Sequence, residues 1–98
     1  MEFAKPRKKK VDLEALNSPI KRIPGIDLPT VRDLIDLGFR RVDELSGRSP
    51  EALYQTILKN KPETPIDRLW MLRLGVYFAE TPDPEPSRLQ FWCWKDGY

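Results

Sequence analysis

The residues best placed to do chemistry surround the Pro24–Gly25 pair in the stretch IKRIPGIDLPTVRDL, residues 20–34. Lys21 and Arg22 come just before the pair, Asp27 just after it, and an amphipathic run begins at Leu28. A tight turn into a helix gathers free backbone N–H groups at the positive end of the helix dipole, so such a corner can hold a phosphate. Asp27 introduces a rival. Its carboxylate can accept from the same amides, an N-cap worth about 1 kcal/mol. It would also repel a phosphate oxygen about 5 Å away by roughly 3 kcal/mol at an effective dielectric of ~20. Pro29 removes one further donor, having no N–H. The expectation is a self-capped structural corner rather than a strong phosphate cradle.

A second group of cations opens the chain. Residues 1–10 carry Lys5, Arg7, Lys8, Lys9 and Lys10 against Glu2, a net +4, whereas residues 11–98 hold 12 basic and 14 acidic side chains. The overall +2 therefore belongs to the leading segment, which reads as a disordered basic tail suited to an anionic partner. If nucleic acid is that partner, most of the affinity comes from this tail and from scattered arginines, and binding is weak, salt-sensitive and largely sequence-independent.

Little else suggests catalysis. There is no histidine and one cysteine, Cys93, so the usual general base, a disulfide and a cysteine zinc site are all missing, and no metal or cofactor is expected. Cys93 reads as a small apolar filler. Asp33, Asp36, Asp43 and Glu44 could form a carboxylate cluster, but charged runs on short helices are usually solvent faces. An enzyme is not expected.

The elements that must position these groups are helical. Ten prolines fall mostly at helix starts and connections, and no alternating β-branched run appears. VDLEALN reads as a short helix with Val11, Leu13 and Leu16 as apolar contacts, ended or offset by Pro19. The next helix spans about 28–37, with Leu28, Val31, Leu34 and Ile35 inward and Arg32, Asp33 and Asp36 outward. Arg32 can pair with Asp36 one turn on. Gly38 suits a left-handed terminator. RRVDELSG reads as one helical turn closed by Gly47. Ser49–Pro50 opens a helix whose inner face is Leu53, Tyr54, Ile57 and Leu58. Thr64–Pro65 opens another in the same way. That last helix is apolar almost all round and is expected to be the central, most buried element. In the closing FWCWKDGY, Trp92 and Trp94 alternate with Phe91 and Cys93, so the segment is expected to pack back on the core. The rival reading is a platform for unpaired bases.

IPGIDLPTVRDLIDLGF resembles the helix-hairpin-helix motif, with Gly25, Ile26 and Asp27 at the turn positions and Asp27 where a second glycine would stand. With GFRRVDELSGRSPEALY, DRLWMLRLGVYFA and FWCWKD, the chain resembles the small bacterial pathogenicity-locus family over about residues 13–96. That family is also labelled mitomycin-resistance-like and is related to the helical C-terminal domain of competence regulators. The resemblance implies an all-α fold: a compact bundle of about five short helices, containing a helix-hairpin-helix unit and a second, degenerate half. It implies one domain over 11–98 behind the tail, and possible nucleic-acid association without a known reaction. Relatives tend to carry cysteines near DRLWML and LGVYF; this chain has none there, so no thiol or metal chemistry transfers.

The expected function is thus a non-catalytic module binding DNA weakly. Its contacts would be Lys8, Lys9, Lys10, Lys21, Arg22, Gly25, Ile26, Arg40 and Arg41, with Arg48 nearby. The alternative is a protein-interaction module with a purely structural hairpin. No apolar run approaches the roughly 18 residues of a membrane span, and no signal-peptide pattern is present, so a cytoplasmic location without membrane contact is expected. The sequence leaves the oligomeric state open.

Overall fold

The computed structural model describes residues 12–97; Lys8, Lys9 and Lys10 of the basic tail, and Val11, lie outside them. Among the described residues there are four α-helices: α1 (Leu13–Asn17), α2 (Leu28–Asp36), α3 (Pro50–Asn60) and α4 (Asp67–Glu80). Four 3-10 turns accompany them at Pro19–Arg22, Val42–Leu45, Pro86–Arg88 and Phe91–Trp94. The fold is all-helical, with no strand among the described residues. The expected fifth helix is the Val42–Leu45 turn.

Local chemistry sets most boundaries. Asp12 caps α1 by accepting from the Ala15 amide at 3.2 Å. Ser18 then caps the Pro19–Arg22 turn through the Ile20 amide at 3.1 Å, with Pro19 at the first helical position. Ser49 caps α3 through the Ala52 amide at 3.2 Å, as the Ser-Pro pair predicts. Gly38, at φ +101°, ends α2, with its amide donating to Ile35 and that of Phe39 to the Leu34 carbonyl. These are the crossed bonds of a left-handed helix stop.

α4 is the hub, packed by α3, the Val42–Leu45 turn, α2 and the C-terminal turn. Leu69, Met71, Leu72, Leu74, Gly75 and Val76 are its buried residues. The helix begins at Asp67, not Pro65. Thr64 spends its hydroxyl on the Lys61 carbonyl at 2.7 Å and its own carbonyl on the Tyr54 hydroxyl at 3.0 Å, so it closes the preceding turn and caps nothing.

The C-terminal segment does pack back. Trp94 is buried, its Nε1 donates to the Arg88 carbonyl at 2.9 Å, and its carbonyl accepts from Arg73 at 2.7 Å. Its neighbours are corrections to the apolar reading: Cys93 is exposed and Trp92 is 55% exposed. A 3-10 turn repeats every three residues, so Phe91 and Trp94 share the inner side while Trp92 and Cys93 face out. α1 brings a similar correction. Ala15 is the residue it buries, and Leu13 is 63% exposed, because the helix meets α2 through its smallest side chain.

Candidate nucleic-acid interface

The corner at 18–30 is built from apolar anchors three residues apart. Ile20 and Ile23 are buried, which turns Lys21 and Arg22 outward. Neither cation meets a carboxylate among the described residues. Gly25 then takes φ +84°. A Cβ there would lie 2.8 Å from the Leu89 carbonyl oxygen and 2.9 Å from Leu74 Cδ2, so the corner is fitted against both the C-terminal segment and α4. Only glycine satisfies the left-handed backbone and the close approach together.

Asp27 is the N-cap of α2. Its Oδ1 accepts from the Thr30 amide at 3.0 Å and from the Thr30 hydroxyl at 2.6 Å. Thr30 is fully buried, and its Oγ1 also lies 3.1 Å from Met71 Sδ, which ties the cap to α4. The carboxylate thus holds a donor that a bound phosphate would need. With Pro29 at the second helical position, the amides left at the corner belong to Gly25 through Leu28.

The remaining candidate cations are partly committed. Arg40 Nη1 lies 3.1 Å from Glu14 Oε2. Arg41 Nε lies 3.0 Å from Asp43 Oδ1, and its guanidinium is held further above the ordinary arginine range by that hydrogen bond. Glu44 accepts from the Arg40 and Arg41 amides at 2.6 and 2.9 Å, and these two bonds, Arg40's first, pull its carboxyl below the ordinary value. Arg32 bridges Asp12, Glu14 and Asp36, and its fork on Asp36 is the main reason its guanidinium also holds its proton more tightly. Arg48 stacks 5.2 Å over Phe39.

Two grooves sort these residues. One, of about 470 Å³, is lined by Pro19, Arg22, Arg41, Val42, Asp43, Phe78 and Ala79, and brings the cations Arg22 and Arg41 to one site. The other, of about 540 Å³, lies between α1 and the end of α2, with Leu13, Glu14, Pro19, Ile35 and Arg40 on its walls. Lys21 lines neither groove, and Arg40 is separated from Arg41 by facing the second.

The carboxylate cluster does not form. Asp33 is buried, not outward, and its side chain is 2% exposed. Lys61 Nζ reaches its Oδ1 at 2.6 Å and Arg68 binds its Oδ2. Asp36, Asp43 and Glu44 serve Arg32, Arg41 and the backbone instead. Among the described residues no group of three or more metal-ligating side chains is present, and no helix is long and apolar enough to cross a membrane.

Sequence reasoning overlooked Arg88. Its guanidinium stands 4.5 Å above the Trp94 ring and 5.2 Å from that of Tyr77. Only the return of the C-terminal segment brings these groups together, so no spacing in the chain announces them.

The model of the family described as "Pathogenicity locus" matches residues 14–97. No curated protein and no solved structure matches the chain.

Proposed function

We propose that this chain, which belongs to the pathogenicity-locus family, is a non-catalytic helix-hairpin-helix module that associates weakly, and without sequence preference, with a nucleic-acid backbone. In this reading Pro19–Arg22 and α2 are the two arms of the hairpin, and the fold is kin to the helical C-terminal domain of competence regulators. The observation that carries it is the outward pair Lys21–Arg22, unmatched by described carboxylates, with Arg22 and the Asp43-paired Arg41 lining the same 470 Å³ groove. The basic segment 1–10 adds the larger share of positive charge. Asp27 keeps the corner itself a minor contributor.

The test is a titration of the intact chain with short duplex DNA at several salt concentrations, beside a version lacking residues 1–10. Engagement of four or five cations predicts a log–log slope of about −4. Deletion of the segment should remove most of the affinity, and Lys21→Ala with Arg22→Ala most of the remainder. Absence of binding at low salt would dismiss the reading.

One observation favours a second reading, a protein-interaction module. The groove beside α1 is largely apolar and leaves Leu13 63% exposed at its edge. A pull-down from nuclease-treated extract that returns a defined partner, lost on Leu13→Asp, would support it.

A further inference from the structure

Trp92 is the tryptophan the fold leaves outside: it is 55% exposed, whereas Trp94 is buried and Trp70 half-buried. It is not loosely held. Its ring meets Phe91 edge-on at 5.2 Å, and Phe91 stacks on Trp70 of α4 at 6.3 Å and 18°. Three rings in series thus fix the outermost one on the central helix. Ile66, the residue before α4, is a second large apolar side chain left 53% exposed.

The segment that carries Trp92 also reaches the corner of the proposed interface. Leu89, three residues before Trp92, presents the carbonyl that packs on Gly25 of the corner. Three residues of chain span at most about 11 Å. Trp92 therefore lies within a few nucleotides' reach of the corner that carries Lys21 and Arg22. Lys95 follows one turn on, exposed and with no ion pair among the described residues. A supported aromatic face beside unpaired cations matches a ligand that alternates flat π-systems with negative charge.

Resting on the nucleic-acid reading above, we propose that the preferred form is single-stranded, with an unpaired base stacked on Trp92 and the flanking phosphates drawn to Lys21, Arg22 and Lys95. A base inside a duplex cannot offer its face, so duplex DNA would use the cations alone. Stacking tolerates any base, which agrees with binding that lacks sequence preference.

The test measures anisotropy of a labelled oligothymidylate and of a duplex of equal length, each against the full chain. Wild type should bind the single strand more tightly, with quenching of tryptophan emission. Trp92→Ala should weaken the single strand by about 5- to 150-fold, the loss of one stacked base, and leave the duplex within about twofold. Trp92→Phe should recover most of the difference. Lys21→Ala with Arg22→Ala should weaken both forms. The Tm of Trp92→Ala should fall by only a few degrees, from the lost edge-on contact with Phe91, and its retained duplex binding shows that the variant is folded.

Equal weakening of both forms by Trp92→Ala, or none, would overturn the stacking proposal and leave the nucleic-acid reading standing. Failure of both oligonucleotides to bind at low salt would overturn the two together. A concentration-dependent dimer dissolved by Trp92→Ala would assign the ring to a second copy of the chain, and would also overturn it.

Discussion

Replacing Asp27 separates its two roles. Asp27→Ala removes the cap on the Thr30 amide, worth about 1 kcal/mol. It removes a charge favourably placed at a helix N-terminus, ~0.3–1 kcal/mol. It also takes away the 2.6 Å acceptor of a hydroxyl that is fully buried. A bond to a charged group contributes up to about 1.5–3 kcal/mol, but the hydroxyl keeps Met71 Sδ as a weak partner, so about 1 kcal/mol is assigned to it. The sum is ~2–3 kcal/mol, a large fraction of the 5–15 kcal/mol typical of a domain. Urea unfolding followed by tryptophan emission should show it, with a Tm lowered by roughly 10 °C or more. Asp27→Asn keeps a capping oxygen and loses mainly the charge, so it should cost under about 1 kcal/mol.

The same pair reads out binding. If the corner is structural, Asp27→Asn raises DNA affinity by no more than about threefold, the effect of one fewer surface charge under salt screening. If a phosphate sits at the corner, relief of a roughly 3 kcal/mol repulsion raises it tenfold or more. A gain of that size, or an Asp27→Ala variant as stable as wild type, would refute the self-capped corner.

Three further outcomes follow from the packing. Asp33→Ala strands Arg68, whose side chain is 12% exposed, and should cost about 3–5 kcal/mol in urea unfolding; Asp33→Leu combined with Arg68→Leu should cost clearly less than Asp33→Ala. Gly25→Ala should destabilise more than Gly38→Ala: both meet a left-handed penalty of about 1–2 kcal/mol, but only at Gly25 does a Cβ strike a backbone carbonyl, at 2.8 Å. Glu44 should titrate below its ordinary 4.5 in carboxyl NMR. Because the folded value is the lower one, its contribution to stability is present above 4.5 and lost as the pH falls through the depressed value. Glu44→Gln should remove that part of the acid sensitivity.

Local punctuation carried much of the fold. Ser49–Pro50, Asp27 and Gly38 act within one helical turn of themselves, so their roles were legible without tertiary knowledge. The apolar faces of α2 and α3 were legible for the same reason: a helix imposes its own period. The failures share a different cause. Asp33 sits at an outward-looking position in its helix, yet Lys61 and Arg68, 28 and 35 residues away, close over it. A charge run announces a solvent face only when nothing distant covers it. The C-terminal aromatics failed through a wrong period, two in place of three. That error hid the division between Trp94, which completes the core, and Trp92, which does not.

The pairing of charges then decides what the folded body can offer an anion. Arg32, Arg40, Arg41, Arg68, Arg73 and Lys61 each face a carboxylate of the chain itself. Every phosphate they might take must first compete with that partner, so their net contribution to affinity is small. Lys21, Arg22 and Lys95 are exposed and carry no such cost among the described residues, whereas Arg88 is committed to the Trp94 and Tyr77 rings. Lys21, Arg22 and Lys95 are the cations that matter here. They lie on the corner before α2 and on the segment that packs against it, the two parts joined at Gly25 and Leu89. A body with slightly more acids than bases can therefore still present anion-accepting cations at this edge, as it does with Arg48 and Lys59 around α3. The same reasoning predicts that neutralising Arg40 changes binding less than neutralising Arg22, although both are exposed and both flank a groove. When Arg40 is lost, Glu14 keeps Arg32 as its partner, so no bare carboxylate is left to repel the ligand and only a cation already committed to that pair is removed. Equal losses for Arg22→Ala and Arg40→Ala in the low-salt titration would mean that the ion pairs open on binding, and that pairing does not select the edge.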